Sequence, residues 1–484
     1  MANSKNKFDY APAPESRALA SIASDYGLFI NGKFQSPHSK KKFESINPAT
    51  EETLSKVSFA DEIDVDKAVK AARAAYTKVW SKLSGKERAK YLFRIARLLQ
   101  ERSREFAVVE SLDNGKPIRE TRDVDIPLAA AHFFYHAGWA DKLEYAGFGE
   151  KPKPHGVVGQ VIPWNFPLLM LAWKVAPALA TGNTVVLKPA ETTPLTALLF
   201  AEICQQAELP AGVVNIITGD GRTGSALVKH KDINKIAFTG STEVGKLIAA
   251  SVASSNTPVT LELGGKGANI VFEDAPIDQA VEGIVNGIFF NQGHVCCAGS
   301  RLLLQENIHD EFLHKLQIRM SKIRVGDPLD KNTDLGAINS AAQLAKIREL
   351  TKSGESEGAQ IWSAPCELPN RGFWFAPTVF TGVTQAHRIA REEIFGPVLS
   401  VLTFRTPQEA IEKANNTPFG LSAGVWTDKG SRILWASNQL KAGVIWANTF
   451  NKFDPASPFG GYKESGWGRE GGRHGLAAYI KGAH

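Results

Sequence analysis

The chain has 484 residues, of which 43% are hydrophobic and 22% charged. That length is too great for one compact core, so two or three domains are expected, and the composition argues against a disordered chain. A formal net charge of +6, from 56 basic and 50 acidic residues, is too small over this length to indicate a nucleic-acid partner, and no segment reads as a bilayer span.

In chain order, Met1–Ser16 is polar and proline-containing without an apolar stretch, so no signal peptide is expected. The basic run Lys40–Lys42 reads as a solvated turn after Pro37. From 157 to 263, short β-branched runs alternate with amphipathic ones. Strands are expected at 157–162, 184–187, 213–217, 233–238 and 259–263, and helices at 168–180, 194–207, 223–229 and 243–254. This alternation predicts parallel βαβ units with ligands at the carboxyl ends of the strands. A second alternation follows, with strands at 269–272 and 301–305 and helices at 277–290 and 310–323. The glycine- and aromatic-rich tail from Phe453 reads as loop. The four cysteines, Cys204, Cys296, Cys297 and Cys366, have no metal-ligand spacing. Neither a metal nor a disulfide framework is expected, and a reducing compartment, the cytoplasm, fits best.

Five segments can carry chemistry. In Asn291-Gln292-Gly293-His294-Val295-Cys296-Cys297-Ala298-Gly299, a glycine-framed turn holds a cysteine among small residues, so backbone N–H groups can approach whatever a thiolate attacks. A buried structural cysteine reads equally well from this segment alone. Glu262, at a strand end before Gly264-Gly265-Lys266, can act as a general base if burial raises its pKa, or can be a surface carboxylate. Asn165, in Pro163-Trp164-Asn165-Phe166-Pro167, can offer its amide to an oxyanion or satisfy its own turn. The strand–turn–helix Phe238-Thr239-Gly240-Ser241-Thr242-Glu243-Val244-Gly245 suits a pyrophosphate or an ordinary helix cap. Lys188 and Glu191 can hold ribose hydroxyls or form a surface ion pair. Gly219-Asp220-Gly221-Arg222-Thr223-Gly224 fits a dinucleotide fingerprint, but Asp220 would sit near a phosphate, so a tight turn beside the cofactor is expected.

Taken in order and spacing, these segments resemble the aldehyde dehydrogenase superfamily, together with Glu392-Glu393-Ile394-Phe395-Gly396-Pro397 and Ser457-Pro458-Phe459-Gly460-Gly461. The resemblance runs from about residue 28 to the end. It implies an α/β fold of two Rossmann-like parallel-sheet domains plus a short oligomerisation arm. The implied bounds are 1–134 and 156–256 for the dinucleotide-binding domain, 257–450 for the catalytic domain, and 135–155 and 451–484 for the arm and tail. It implies oxidation of an aldehyde to a carboxylic acid with NAD⁺ or NADP⁺ through a thioester on Cys296, hydrolysed by water that Glu262 activates. Asn165 and the Cys296 N–H are then the oxyanion donors. Cofactor contacts fall on Ile162, Pro163, Trp164, Lys188, Glu191, Gly221, Phe238, Gly240, Ser241, Gly245, Leu263, Glu393 and Phe395. Glu191 would repel a 2′-phosphate, which favours NAD⁺. Phe166, Trp173, Phe453 and Phe459 match substrate-tunnel positions and favour apolar or small aldehydes.

The chain departs from the family pattern in places. Leu143–His155, before the Trp-Asn-Phe-Pro turn, is shorter than the usual arm, and the chain stops at His484, soon after Tyr479. A homodimer is therefore expected in place of the common tetramer. The segment Asp9–Ser16 is similar to the two-module branch of the superfamily. His294 stands where glutamine is frequent, and Gly267-Ala268 where Ser-Pro is frequent. A CoA-acylating enzyme would lack a base at Glu262, and a non-catalytic scaffold would lack Cys296, Glu262 or Asn165.

Overall fold

Fully buried, β-branched runs such as Thr184–Lys188 and Lys235–Thr239 cannot alternate between core and solvent. They form central strands of a parallel sheet covered on both faces. The computed structural model describes residues 11–149 and 151–482. Asp9, Tyr10 and His484, invoked in reading the two ends of the chain, lie outside them.

In chain order the first sheet takes β1 (Leu28–Ile30), β2 (Lys33–Gln35), β3 (Val157–Val161), β4 (Thr184–Lys188), β5 (Val214–Ile216), β6 (Lys235–Thr239) and β7 (Val259–Glu262). The second takes β8 (Ala268–Val271), β9 (Arg301–Gln305), β10 (Gln360–Ser363), β11 (Thr378–Thr381), β12 (Val398–Phe404), β13 (Ser422–Trp426) and β14 (Val444–Ala447). A last strand, β15 (Gly466–Trp467), returns to the first sheet. The sheet orders are β15-β7-β6-β3-β4-β5-β1-β2 and β10-β11-β12-β9-β8-β13-β14. In the first sheet β3 pairs in parallel with both β4 and β6, so the connections diverge there and open a crevice beyond its carboxyl end. The two Rossmann-like parallel sheets are as expected, and the strands and helices from 157 to 323 fall within a few residues of their expected bounds.

Three expectations need correction. The sheets do not part at residue 257: β7 pairs with β6 in the first sheet, and the second begins at Ala268. A four-residue apolar strand carries no mark of the sheet it joins. The stretch 135–155 is not wholly an arm. Residues 135–139 end the helix Ile126–Trp139, which packs against the helices Gly85–Glu101 and Pro167–Ala180. Nor is the tail all loop: β15 pairs antiparallel with β7, and Gly472–Ala477 is a short helix. Among the described residues, no helix is long and apolar enough to cross a membrane.

Candidate active site

Three turns leave the carboxyl ends of first-sheet strands. After β3, Pro163–Phe166 leads into the helix Pro167–Ala180, whose first-turn proline has the right φ and no N–H to satisfy. After β6, Gly240-Ser241 opens the helix Thr242–Val252, where Ser241 Oγ accepts from the Val244 N–H at 3.3 Å. The cap reading of Ser241 is therefore realised, and the helix N-terminus still faces the crevice. Glu262 ends β7.

The facing wall is built differently. Asn291, Gln292 and Gly293 have φ of 48°, 54° and 75°, three successive left-handed residues before Cys296. Such backbone must be held from outside. Glu120 Oε2 accepts from the Asn291 N–H at 2.9 Å, and Gln292 Nε2 donates to the Ala337 carbonyl at 3.1 Å. A Cβ at Gly293 would lie 2.1 Å from the Gly396 carbonyl oxygen, so only glycine fits. Phe395 is left-handed too, at φ 55°, and Gln343 Nε2 donates to its carbonyl at 2.9 Å. Glu393 Oε1 accepts from the Gly265 N–H at 3.0 Å.

Asn165, Glu262 and Cys296 line one cavity of about 840 Å³. Its lining includes seven of the residues expected to contact the cofactor, Pro163, Trp164, Gly240, Ser241, Leu263, Glu393 and Phe395. On another side Trp173 and Phe459 have ring centroids 5.3 Å apart, Phe453 and Phe459 5.8 Å, and Phe166 packs on Phe290 at 6.1 Å. The four aromatic residues expected in a tunnel all line this cavity. Six other expected residues do not line this cavity. Ile162 is buried, and its N–H donates to the Lys188 carbonyl at 3.1 Å. Lys188 Nζ bonds Glu191 at 3.2 Å, and Glu191 opens onto a neighbouring cavity with Asp220 and Arg222. Gly221 starts a helix capped by Asp220, as a tight turn should. Phe238 packs under Gly240, and Gly245 under Leu263.

Burial, reinforced by the negative charge of Glu470, holds the Glu262 carboxyl well above the usual carboxylate range. Neither of its oxygens has a protein partner. The adjacent Cys297 thiol, then burial, holds the Cys296 thiol well above its ordinary value. Both shifts favour the protonated forms. Burial pushes His294 down to about 3, so its imidazole is neutral. It stacks on Phe395 with centroids 5.9 Å apart and meets Trp164 edge-on at 4.7 Å. His294, which stands where glutamine is frequent, thus packs against two residues expected to contact the cofactor.

Sequence reasoning missed the buried Lys174–Glu470 ion pair and the buried Lys116–Asp125 pair. Glu470 lies in a run of glycines with positive φ, Gly468, Gly471 and Gly472, a signal of a tightly folded segment. Lys116 follows Gly115, a helix end at φ 94°.

Two Rossmann-like sheets that close over a thiol, a carboxylate and a side-chain amide define an α/β enzyme. A profile of the aldehyde dehydrogenase family matches residues 34–483. Human retinal dehydrogenase 2 is 47% identical over 467 residues, covering 94% of this chain and 90% of that one. An NAD⁺ complex of an aldehyde dehydrogenase from Bacillus cereus superposes with a TM-score of 0.93 at 42% identity, covering 97% of this chain and 98% of the other. AldA, an indole-3-acetaldehyde dehydrogenase of P. syringae, superposes at 0.92 with 39% identity, covering 96% and 98%. The chain belongs to the aldehyde dehydrogenase family, and is an oxidoreductase acting on aldehydes.

Proposed function

We propose that this enzyme oxidises an apolar aldehyde to its carboxylic acid with NAD⁺, through a thioester on Cys296. The observation that carries the reading is that Asn165, Glu262 and Cys296 share one cavity. The residues fit the cofactor. The buried hydroxyls of Thr239 and Thr242 lack protein partners at a helix N-terminus, where a pyrophosphate would find donors. Glu191 beside Lys188 suits a ribose diol and disfavours a 2′-phosphate, and Glu393 and Phe395 would hold the nicotinamide end. The nearby structures in complex with NAD⁺ support the same assignment. When bound, NAD⁺ accepts the hydride.

An aldehyde carbon is too electron-poor to lose hydride directly. The Cys296 thiol gives its proton to solvent water, the thiolate sulfur bonds to that carbon, and the C=O π pair moves onto oxygen. The Asn165 amide and the Cys296 N–H donate to this oxyanion. As the oxyanion re-forms C=O, hydride leaves and the thioester remains. Glu262, once ionised, takes a proton from water as the water oxygen bonds to the acyl carbon, and the Cys296 thiolate departs. The aromatic wall of Phe166, Trp173, Phe453 and Phe459 desolvates the chain of the aldehyde. Reduced-cofactor absorbance with a panel of aldehydes, NAD⁺ and NADP⁺ tests this. Faster turnover of apolar aldehydes with NAD⁺, lost in Cys296→Ala, is the expected result.

In this reading the first sheet binds the cofactor and the second supplies the nucleophile. The short segment 143–155, whose described residues form one 3₁₀ turn at Leu143–Ala146 and a single bridge from Pro154 to Ile480, supports a homodimer. A stable tetramer on sedimentation would overturn that. The four free cysteines suit the cytoplasm, which fractionation would check.

A further inference from the structure

We propose that Lys116 is a positioning residue that holds the Asn165 amide in register with the nucleophile turn; this rests on the oxyanion role given to Asn165 above. The helix Ser103–Asn114 ends at Gly115, φ 94°, in a position so tight that a Cβ there would lie 2.7 Å from the Ala337 carbonyl oxygen. This glycine end lets two side chains on either side of it reach successive carbonyls of the loop after β3. Asn114 Nδ2 donates to the Trp164 carbonyl at 2.6 Å, and Lys116 Nζ donates to the Asn165 carbonyl at 3.1 Å.

The Asn165 carbonyl also accepts from Asn291 Nδ2 at 2.7 Å, in the left-handed turn that leads to Cys296. The Asn165 amide donates to the His294 carbonyl at 2.8 Å. Lys116 therefore bonds a carbonyl that joins the oxyanion loop to the nucleophile turn. Its ammonium lies 3.9 Å from the Phe166 ring centroid and pairs with Asp125, and both members of the pair are fully buried. An ion pair that served only to pack the helix Ile126–Trp139 would not need to touch Asn165 and Phe166. Losing Lys116 leaves the Asn165 carbonyl with the Asn291 amide as its remaining side-chain donor, which loosens the loop that carries the Asn165 amide.

Removing the lysine alone would strand a buried carboxylate, so the informative variant replaces the pair, Lys116→Met with Asp125→Asn. Single-turnover hydride transfer should slow about tenfold or more, with KM for NAD⁺ within about twofold of wild type. Adding Asn165→Ala should cost less than about twofold beyond Asn165→Ala alone, because both changes act through one amide. Wild-type hydride transfer in the pair variant, or a loss that multiplies in full with that of Asn165→Ala, would overturn the proposal. Were the pair variant to misfold, Asp125→Asn alone keeps the lysine in place and should show a smaller loss that is likewise absent in the Asn165→Ala background. If Asn165→Ala by itself left hydride transfer unchanged, the oxyanion reading would fall, and the route given to Lys116 with it. A loss in Asn165→Ala but none in the Lys116 variants sinks this proposal alone.

Discussion

The two sheets bring groups to the same cavity in opposite ways. The first offers residues that leave its strands: Trp164 and Asn165 after β3, Ser241 after β6, Glu262 ending β7. They sit at strand ends and helix starts of ordinary geometry, where backbone N–H groups already point outward. The second places its reacting groups on turns that lead into strands, Cys296 before β9 and Glu393 and Phe395 before β12. Those turns are left-handed at Asn291, Gln292 and Phe395, and survive because Glu120, Gln343 and the buried backbone around Ala337 and Gly396 hold them. Loss of a helix cap on the first wall should therefore cost less stability than a change within the left-handed turns of the second.

Changes that test this contrast rank by size. Cys296→Ala should abolish aldehyde oxidation, by at least about 10⁴-fold, while Cys297→Ala stays within about twofold. Steady-state rates of both variants decide it; equal losses would move the nucleophile. Asn165→Ala should lower kcat by about 10²–10³-fold, the usual cost of one oxyanion donor. Unchanged single-turnover hydride transfer would remove that role.

Supports come next. Gly293→Ala meets the Gly396 carbonyl and needs a left-handed φ, so it should cost about 2 kcal/mol or more in chemical denaturation. Ser241→Ala on the first wall loses only a cap, about 1 kcal/mol. Equal costs would erase the distinction between the walls.

The last change is read as a pH dependence. Burial pushes Glu120 from an ordinary 4.5 up to about 8. The unfolded state releases this proton near 4.5 and the folded state near 8. The folded state therefore binds the extra proton, and stability falls as pH rises between those values. In Glu120→Gln that share of the decline should vanish, which denaturation midpoints across the range will show. Because the shifts at Glu262 and Cys296 both favour the protonated forms, activity should climb as pH rises.

Much of this was readable in the chain. The parallel strands of the first sheet announce themselves as buried β-branched runs, and the motif residues Asn165, Glu262 and Cys296 do share a cavity. The division between sheets was not legible at Val259–Glu262, because local pattern reports burial and not partners. Lys116 and Glu470 were invisible as site residues. Each is a charged group buried by tertiary contacts from far along the chain, Glu470 against Lys174 and Lys116 against Asn165. Lys188 and Glu191 were legible as a pair, though Glu191 faces a neighbouring cavity.

The central claim is that one sulfur carries the acyl group and one carboxylate removes it. Glu262→Gln mixed with aldehyde and NAD⁺, acid-quenched and mapped by peptide mass, tests both at once. A burst of about one reduced cofactor per site, with the acyl mass on the peptide and Cys296 as its bearer, is the predicted result. Steady turnover without a burst, or an acyl group on Cys297, would contradict it.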